Sequence, residues 1–248
     1  MGRISIELVP RNVESLLTDL EMVKNNFPQI DTVNIPDLLR FELRSWDGCR
    51  YVRGYYKQAI PHIRAIDLDM NRPLPFANML HELKTKEVLV VTGDPPQDMT
   101  RKIYPSTSID LIKKFKTEHP AIKVYTAIDQ YRTSMRGELD NVRRKIDAGA
   151  DGFFTQPFFD LRLMEIYAEQ LEGLEVFWGI SPVTSEKSVN YWETKNHLIF
   201  PAGFQPTLEW NINFAKRALD FTEELGSHIY FMPIRTEIQT FLSGLFSR

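Results

Sequence analysis

The 248-residue chain is short of several things, and each shortage removes a class of function. It has one cysteine, Cys49, which excludes an internal disulfide framework and any CxxC zinc or redox pair and suits a reducing compartment. No apolar run approaches the roughly 20 residues that span a bilayer. The opening "MGRISIELVP" lacks the apolar core and cleavage site of a secretory signal, so a cytoplasmic location is expected. Neither sign of charge is in excess: 30 Lys and Arg face 33 Asp and Glu for a formal net charge of -3, so neither nucleic acid nor membrane is the expected partner. Glycine-rich phosphate signatures are missing too. No GxGxxG follows the first strand-like run and no GxxxxGK[ST] occurs, which argues against an open dinucleotide-binding sheet. The five histidines show no HExxH or similar spacing, and no metal site is expected.

What the chain has is alternation. Short β-branched runs at 4–8, 32–35, 60–66, 88–91, 123–127, 152–155, 175–180 and 228–232 read as strands. Helical periods lie between them. Val13, Leu16, Leu17, Leu20 and Val23 form one apolar stripe. Leu139, Val142 and Ile146 form another before Gly149, residues 161–171 a third before Gly173, and "STSIDLIKKFKTEHP" carries its own cap. The segment "HLIFPAGFQP" from His197 to Pro206 predicts an elaborated loop in the seventh unit. Eight strand-helix units predict a parallel sheet covered by helices and closed as a (β/α)8 TIM barrel, one domain over 1–248.

In such a barrel the chemistry gathers at the C-terminal strand ends. Glu7 ends the first strand, Asp94 follows the fourth, Gln156 the sixth and Arg235 the eighth, so the four are expected on one rim. Glu7, in "ISIELVP", has two readings: a desolvated carboxyl held neutral, able to act as a general acid, or a partner of an interior Lys or Arg. Asp94 in "VVTGDPP" is either turn chemistry or a ligand contact, and Gln156 in "FFTQPFFD" either contacts a ligand or bonds a loop backbone. His62 reads as a hydrogen-bonded core histidine. "NVRRKIDAG" reads as a solvated helix face from which Lys145 could reach a phosphate. Phe153, Phe154, Phe158 and Phe159 read as packing, as do Tyr191 and Trp192 unless a planar ligand stacks there, and Arg40, Arg44 and Trp46 offer an anion or ring contact after the second strand.

Together these residues resemble the methylenetetrahydrofolate reductase family, barrel enzymes that use FAD and NADH or NADPH to reduce methylenetetrahydrofolate to methyltetrahydrofolate in one-carbon metabolism. "SIELVPR" resembles the family's opening strand and implies a proton-donating Glu7; "LVVTGDPP" resembles its Arg-Gly-Asp strand end and implies a catalytic, pterin-binding Asp94 beside cofactor-side Thr92 and Gly93. "RRKIDAGADGFFTQPFFD" is the most specific match and implies a folate-contacting Gln156 and a cofactor-side Lys145. "FWGISPVTSEKSVNYW" implies folate contacts at Ser188 and Trp192, and Arg235 aligns with a folate-contacting arginine. "PHI" places His62, and the segment after Asp94 places Tyr104, beside a flavin. The departures fall on the flavin side: Thr92 replaces the family's arginine, and "IPDLLRF" and "AIDQYRT" replace two of its loops. The resemblance therefore implies a folate substrate and FAD, with a flavin-free folate-binding barrel as the alternative. That alternative would serve methyl transfer to a corrinoid protein or act as a partner subunit; a homo-oligomer is equally open.

Overall fold

Parity along the strands decides what this chain buries where. The computed structural model describes residues 2–96 and 102–247. Its strands are β1 (Ile4–Glu7), β2 (Thr32–Ile35), β3 (Gln58–Arg64), β4 (Glu87–Val91), β5 (Lys123–Ile128), β6 (Gly152–Pro157), β7 (Val176–Ile180) and β8 (His228–Phe231). They pair in parallel in chain order, and β8 returns to β1, closing a (β/α)8 TIM barrel. Odd-numbered Ser5 and Glu7 point inward on β1, while Ile6 packs outward against the helices at 0% exposure.

The helices are α1 (Val13–Asn26), α2 (Ser45–Val52), α3 (Ala77–Glu82), α4 (Ser108–Glu118), α5 (Met135–Asp147), α6 (Leu161–Gln170), α7 (Glu186–Asn196), α8 (Leu208–Glu224) and α9 (Ile238–Phe246). Side chains suited to capping start many of them: Asn12 for α1, Thr107 with Asp110 as a capping box for α4, Ser134 for α5 and Asp160 for α6. No helix among the described residues is long and apolar enough to cross a membrane.

Two local expectations need correction. Strand β3 begins at Gln58 and ends at Arg64 rather than running 60–66, because Ala65–Asp67 winds into a 3₁₀ turn whose Ile66 N–H donates to the Thr92 carbonyl. Helix α5 keeps Leu139 and Val142 of its expected stripe against the core, but Ile146 turns out and polar residues join the inward side. Glu138, Val142 and Lys145 are buried, Leu139 packs against the core beside them, and Ile146 is exposed. "NVRRKIDAG" is therefore only partly a solvated face, since Lys145 turns in while Arg143 and Arg144 stay out. Polar groups join the apolar period here because the cavity end of the barrel lies beside that face.

The barrel interior is layered. At the N-terminal end Arg3 forms a bidentate pair with Glu87 at 2.7 and 2.8 Å, joined by the Tyr125 hydroxyl; Glu175 links Tyr125, Lys123 and His228 beside it. Above lies an aromatic layer in which Phe154 stacks on Phe177 at 4.2 Å and Tyr125 meets both edge-on. Gly179 leaves the space that Tyr230 needs: a Cβ there would lie 2.8 Å from the Tyr230 ring and 2.8 Å from the Thr155 carbonyl, to which Tyr230 donates at 2.5 Å. This plug closes the barrel below and leaves its C-terminal mouth open.

The seventh unit is elaborated as expected. After β7 come both α7 and α8, and the joining segment packs Phe200 on Phe204 at 4.0 Å and both against Phe159.

Candidate active site

At the open mouth lies a cavity of about 490 Å³, within the range of small-molecule sites. Glu7, Asp94 and Gln156, drawn from β1, the β4 end and β6, all line it, as do His62, Thr92, Gly93 and Lys145.

Glu7 sits at its base. Its Oε2 accepts from Asn34 Nδ2 at 3.4 Å and lies 3.9 Å from His62 Nε2. Asn34 also approaches His62 Nε2 at 3.1 Å and accepts from Ser5 Oγ at 2.8 Å, so one inward amide on β2 ties β1 to β3. No lysine or arginine pairs with Glu7 among the described residues. The ion-pair reading of Glu7 is thereby removed; the interior arginine, Arg3, is held by Glu87 at the far end. Burial pushes the Glu7 carboxyl up to about 7, the Asn34 hydrogen bond opposing it. Burial also lowers His62 to about 4, so the ring is neutral near pH 7 and does not hold Glu7 ionised. Glu7 also borders a second cavity of about 210 Å³ between α1 and the β8–α9 loop.

Asp94 is exposed at the rim, and its carboxylate has no hydrogen bond among the described residues. Its turn is held through the backbone, where Arg64 Nη2 donates to the Asp94 carbonyl at 2.6 Å. Gly93 adopts φ +88, which favours glycine, and a Cβ on it would approach the Arg64 guanidinium carbon at 3.1 Å, so a larger residue would also shift that arginine.

Gln156 lies where the β6–β7 register slips between Phe154 and Pro157, a bulge that re-aims the strand end. The loop-bonding amide belongs to Gln130, whose Nε2 donates to the Gln156 carbonyl at 2.8 Å, and the Gln156 side-chain amide has no partner among the described residues. Lys145, 6% exposed, donates to the Ala127 carbonyl and lies 4.0 Å from Glu138; burial lowers its pKa.

Four expected contacts lie outside the cavity lining. Trp192 is 6% exposed in a cluster with Phe159, Val183 and Leu198. Ser188 shares the first turn of α7 with its cap Ser185. Arg235 is exposed, with φ +57, and lies over the Tyr191 ring at 5.6 Å. Tyr104 is half-buried, its N–H donating to the Ile66 carbonyl. After β2, Arg44 finds its anions internally, in Asp37 at 2.8 Å and Asp67 at 3.4 Å, and it covers Trp46, which packs on Phe76; Arg40 lies over Phe41.

Sequence reasoning missed Asn34, Arg64, Asp129 and Glu138, all lining the cavity or touching Glu7. Parity held the signal for two of them. Asn34 is a polar inward position in an apolar strand, and Arg64 shares its strand face with His62. Glu138 precedes Lys145 by seven residues, two helical turns.

The family profile for methylenetetrahydrofolate reductase matches residues 55–232. The chain belongs to this family. Among similar proteins, the 5,10-methylenetetrahydrofolate reductases of Pectobacterium carotovorum and Escherichia coli are each 26% identical, over 149 and 150 residues. Each alignment covers 58% of this chain and 50% or 51% of the enzyme, so the chain spans about half the length of these relatives. A Clostridium thermocellum protein that binds two copies of 5-methyl-5,6,7,8-tetrahydrofolic acid has the same fold, with TM-score 0.64 at 15% identity, covering 98% of this chain and 94% of its own. A 2,3-dimethylmalate lyase shares the barrel at TM-score 0.57 and 11% identity, covering 94% of this chain and 75% of its own.

Family membership raises the question of FAD. The cavity offers a place for a ring system beside His62, Thr92 and Gly93. Among the described residues it offers a diphosphate no cation without a partner of its own. Its lining cations are already engaged: Arg64 by Asp67, Arg132 by Asp129, and Lys145 by the Ala127 carbonyl. The described residues therefore do not fit the whole cofactor. They form no cluster of three or more His, Cys, Asp or Glu able to hold a metal ion.

Proposed function

We propose that the cavity binds a reduced folate carrying a one-carbon unit, and that the protein reduces 5,10-methylenetetrahydrofolate to 5-methyltetrahydrofolate with Glu7 as general acid. The observation that carries this is Glu7 itself, a carboxyl at the base of the mouth with no lysine or arginine partner among the described residues, pushed up by burial to about 7. The donor-rich aminopyrimidine edge of a pterin suits the Asp94 carboxylate, which among the described residues accepts no hydrogen bond, and the Gln156 amide, likewise without a hydrogen bond among them, supplies a second polar contact. The Clostridium thermocellum neighbour, which binds methyltetrahydrofolate on the same fold, supports a folate in such a barrel.

In this reading Glu7 gives its proton to N10, the bond from N10 to the bridging methylene breaks, and N10 departs as a neutral amine. The resulting N5 iminium accepts a hydride from a dihydronicotinamide and becomes the N5 methyl group. The donor is oxidised by two electrons, and Glu7 recovers its proton from solvent. Asn34 donates to the Glu7 carboxyl and positions it, and the neutral His62 ring 3.9 Å away adds no charge that would ionise it.

Positioned general acids contribute on the order of 100- to 10,000-fold, so Glu7→Gln should lower turnover by that factor while methyltetrahydrofolate still binds. Stopped-flow oxidation of the nicotinamide in the presence of methylenetetrahydrofolate, with fluorescence titration of methyltetrahydrofolate, measures both. Undiminished turnover in the variant would remove Glu7 from the chemistry. A second reading, methyl-group handling on methyltetrahydrofolate with no hydride donor, is favoured by the engaged cations of the cavity. It predicts folate binding without nicotinamide oxidation.

A further inference from the structure

Strand β6 loses its regular pairing where it meets the cavity. Phe154 is in register with Phe177 and Pro157 with Gly179, so Thr155 and Gln156 together face the single residue Trp178. Side chains take the carbonyls of the slipped segment. Tyr230 donates to the Thr155 carbonyl at 2.5 Å, Thr155 Oγ1 donates to the Gln156 carbonyl at 2.8 Å while accepting the Gly179 N–H at 2.9 Å, and the Tyr131 hydroxyl donates to the Pro157 carbonyl at 2.8 Å. Gln130 spans two of them. Its Nε2 donates to the Gln156 carbonyl at 2.8 Å and to the Pro157 carbonyl at 3.4 Å.

Gln130 and Tyr131 follow β5 in "AIDQYRT", and their loop is itself fixed. Glu138 Oε1 accepts the Asp129 N–H at 3.0 Å, and Asp129 accepts from the Tyr131 N–H at 3.3 Å and from Arg132 Nε at 2.8 Å. Gln130 is 7% exposed and lies outside the cavity lining. Gln156 is part of that lining, and its side-chain amide makes no hydrogen bond among the described residues. One amide thus anchors the backbone from which the other meets the cavity.

We propose that Gln130, aided by Tyr131, is a positioning residue for ligand recognition: it clamps the β6 bulge and so fixes the place from which the Gln156 amide reaches a ligand. This deepens the folate reading and rests on it. The Gln156 amide sits at the end of a flexible side chain, and a bulge free to shift would add backbone freedom that the ligand must also remove. With the bulge held beforehand, only the side chain is left to order on binding. Gln130→Met should leave the fold intact. The Gln156 carbonyl keeps Thr155, the Pro157 carbonyl keeps Tyr131, and the change also removes a Gln130 Oε1 that is buried with no partner among the described residues.

Fluorescence titration of methyltetrahydrofolate and amide hydrogen exchange, both on the full chain, test this. Gln130→Met should weaken methyltetrahydrofolate binding about fivefold and Gln156→Ala about tenfold, the range of one neutral hydrogen bond. On top of Gln156→Ala, Gln130→Met should cost less than about twofold, because no amide is left to position; on top of Asp94→Asn it should again cost about fivefold. A merely structural role would lower affinity equally in both backgrounds. That result, or unchanged affinity in Gln130→Met alone, would overturn the proposal. The Phe158 N–H donates to the Gly179 carbonyl just past the bulge, and its exchange should quicken at least about threefold in Gln130→Met; an unchanged rate would also overturn the clamp. Should Gln130→Met not fold, Tyr131→Phe, which takes one donor from the Pro157 carbonyl, carries the same comparisons with the same deciding outcomes. Failure of methyltetrahydrofolate to bind the wild type would remove the folate reading, while the exchange rates still decide the clamp.

Discussion

Arg64 holds the turn that presents Asp94. Its Nη2 donates to the Asp94 carbonyl at 2.6 Å and its Nε donates to Asp67 at 3.0 Å, while Gly93 leaves the space against which the guanidinium packs. The family's arginine before Gly-Asp is Thr92 in this chain, and an arginine from the adjoining strand stands beside the same turn, with Arg64 in register with Val91. The carboxylate is aimed by a neighbour rather than by its own strand.

Arg64→Met should weaken methyltetrahydrofolate binding by about tenfold, the scale of one lost hydrogen bond from a charged donor. In an Asp94→Asn background the same change should cost little more. Fluorescence titration of the four proteins in the cycle gives the coupling, and full additivity would place the effect of Arg64 elsewhere.

Stability against pH should reveal the Glu7–His62 pair. Glu7 is raised from 4.5 to about 7, so its contribution is fully present below about 4.5 and is lost as pH rises through 7. His62 is lowered from 6.5 to about 4, so its contribution is present above 6.5 and is lost as pH falls through 4. The two slopes oppose each other between about 4.5 and 6.5. Glu7→Gln should unmask the histidine, giving stability that climbs across this window by up to about 3 kcal/mol in urea unfolding. Equal slopes in the two proteins would mean that the Glu7 carboxyl titrates near its ordinary value in the fold.

The far end of the barrel should matter for stability and not for binding. Arg3 and Glu87 form a bidentate pair with side-chain exposures of 20% and 10%. Arg3→Met strands the glutamate and should lower stability by roughly 3 kcal/mol, whereas Arg3→Met with Glu87→Leu should recover much of the loss. Methyltetrahydrofolate affinity should stay within about twofold throughout. Denaturant midpoints and ligand titrations on the same preparations check both halves.

Trp192 packs edge-on to Phe159 at 6.1 Å, outside the cavity lining. Trp192→Phe should leave methyltetrahydrofolate affinity within about twofold, and Trp192→Ala should cost roughly 3–5 kcal/mol of stability. A tenfold loss of affinity in the phenylalanine variant would instead place this ring against the ligand.

Much of the site was legible because strand parity is a local property. In "ISIEL" the alternation sends Glu7 inward wherever the sheet closes, and "TGD" announces a turn that only glycine makes easily. Lys145 was harder to read. Its helix carries an apolar period at Leu139, Val142 and Ile146, of which the first two pack against the core, yet Glu138 and Lys145 are buried as well, because the neighbouring strand ends offer a carbonyl and a polar cavity beside that apolar surface. Arg64 and Asn34 were missed because each acts on a residue from another strand.

The sequence alone determined the eight-unit alternation, the helix starts and the side of each strand that faces the barrel axis, since these depend on neighbours a few positions apart. Only the tertiary structure decided that Arg3 lies at the opposite end from Glu7, that Asn34 and neutral His62 surround that carboxyl, and that Arg64 steadies the Asp94 turn. A proton affinity is set by the charges and the water within a few ångströms, and in a closed barrel those come from strands far apart along the chain.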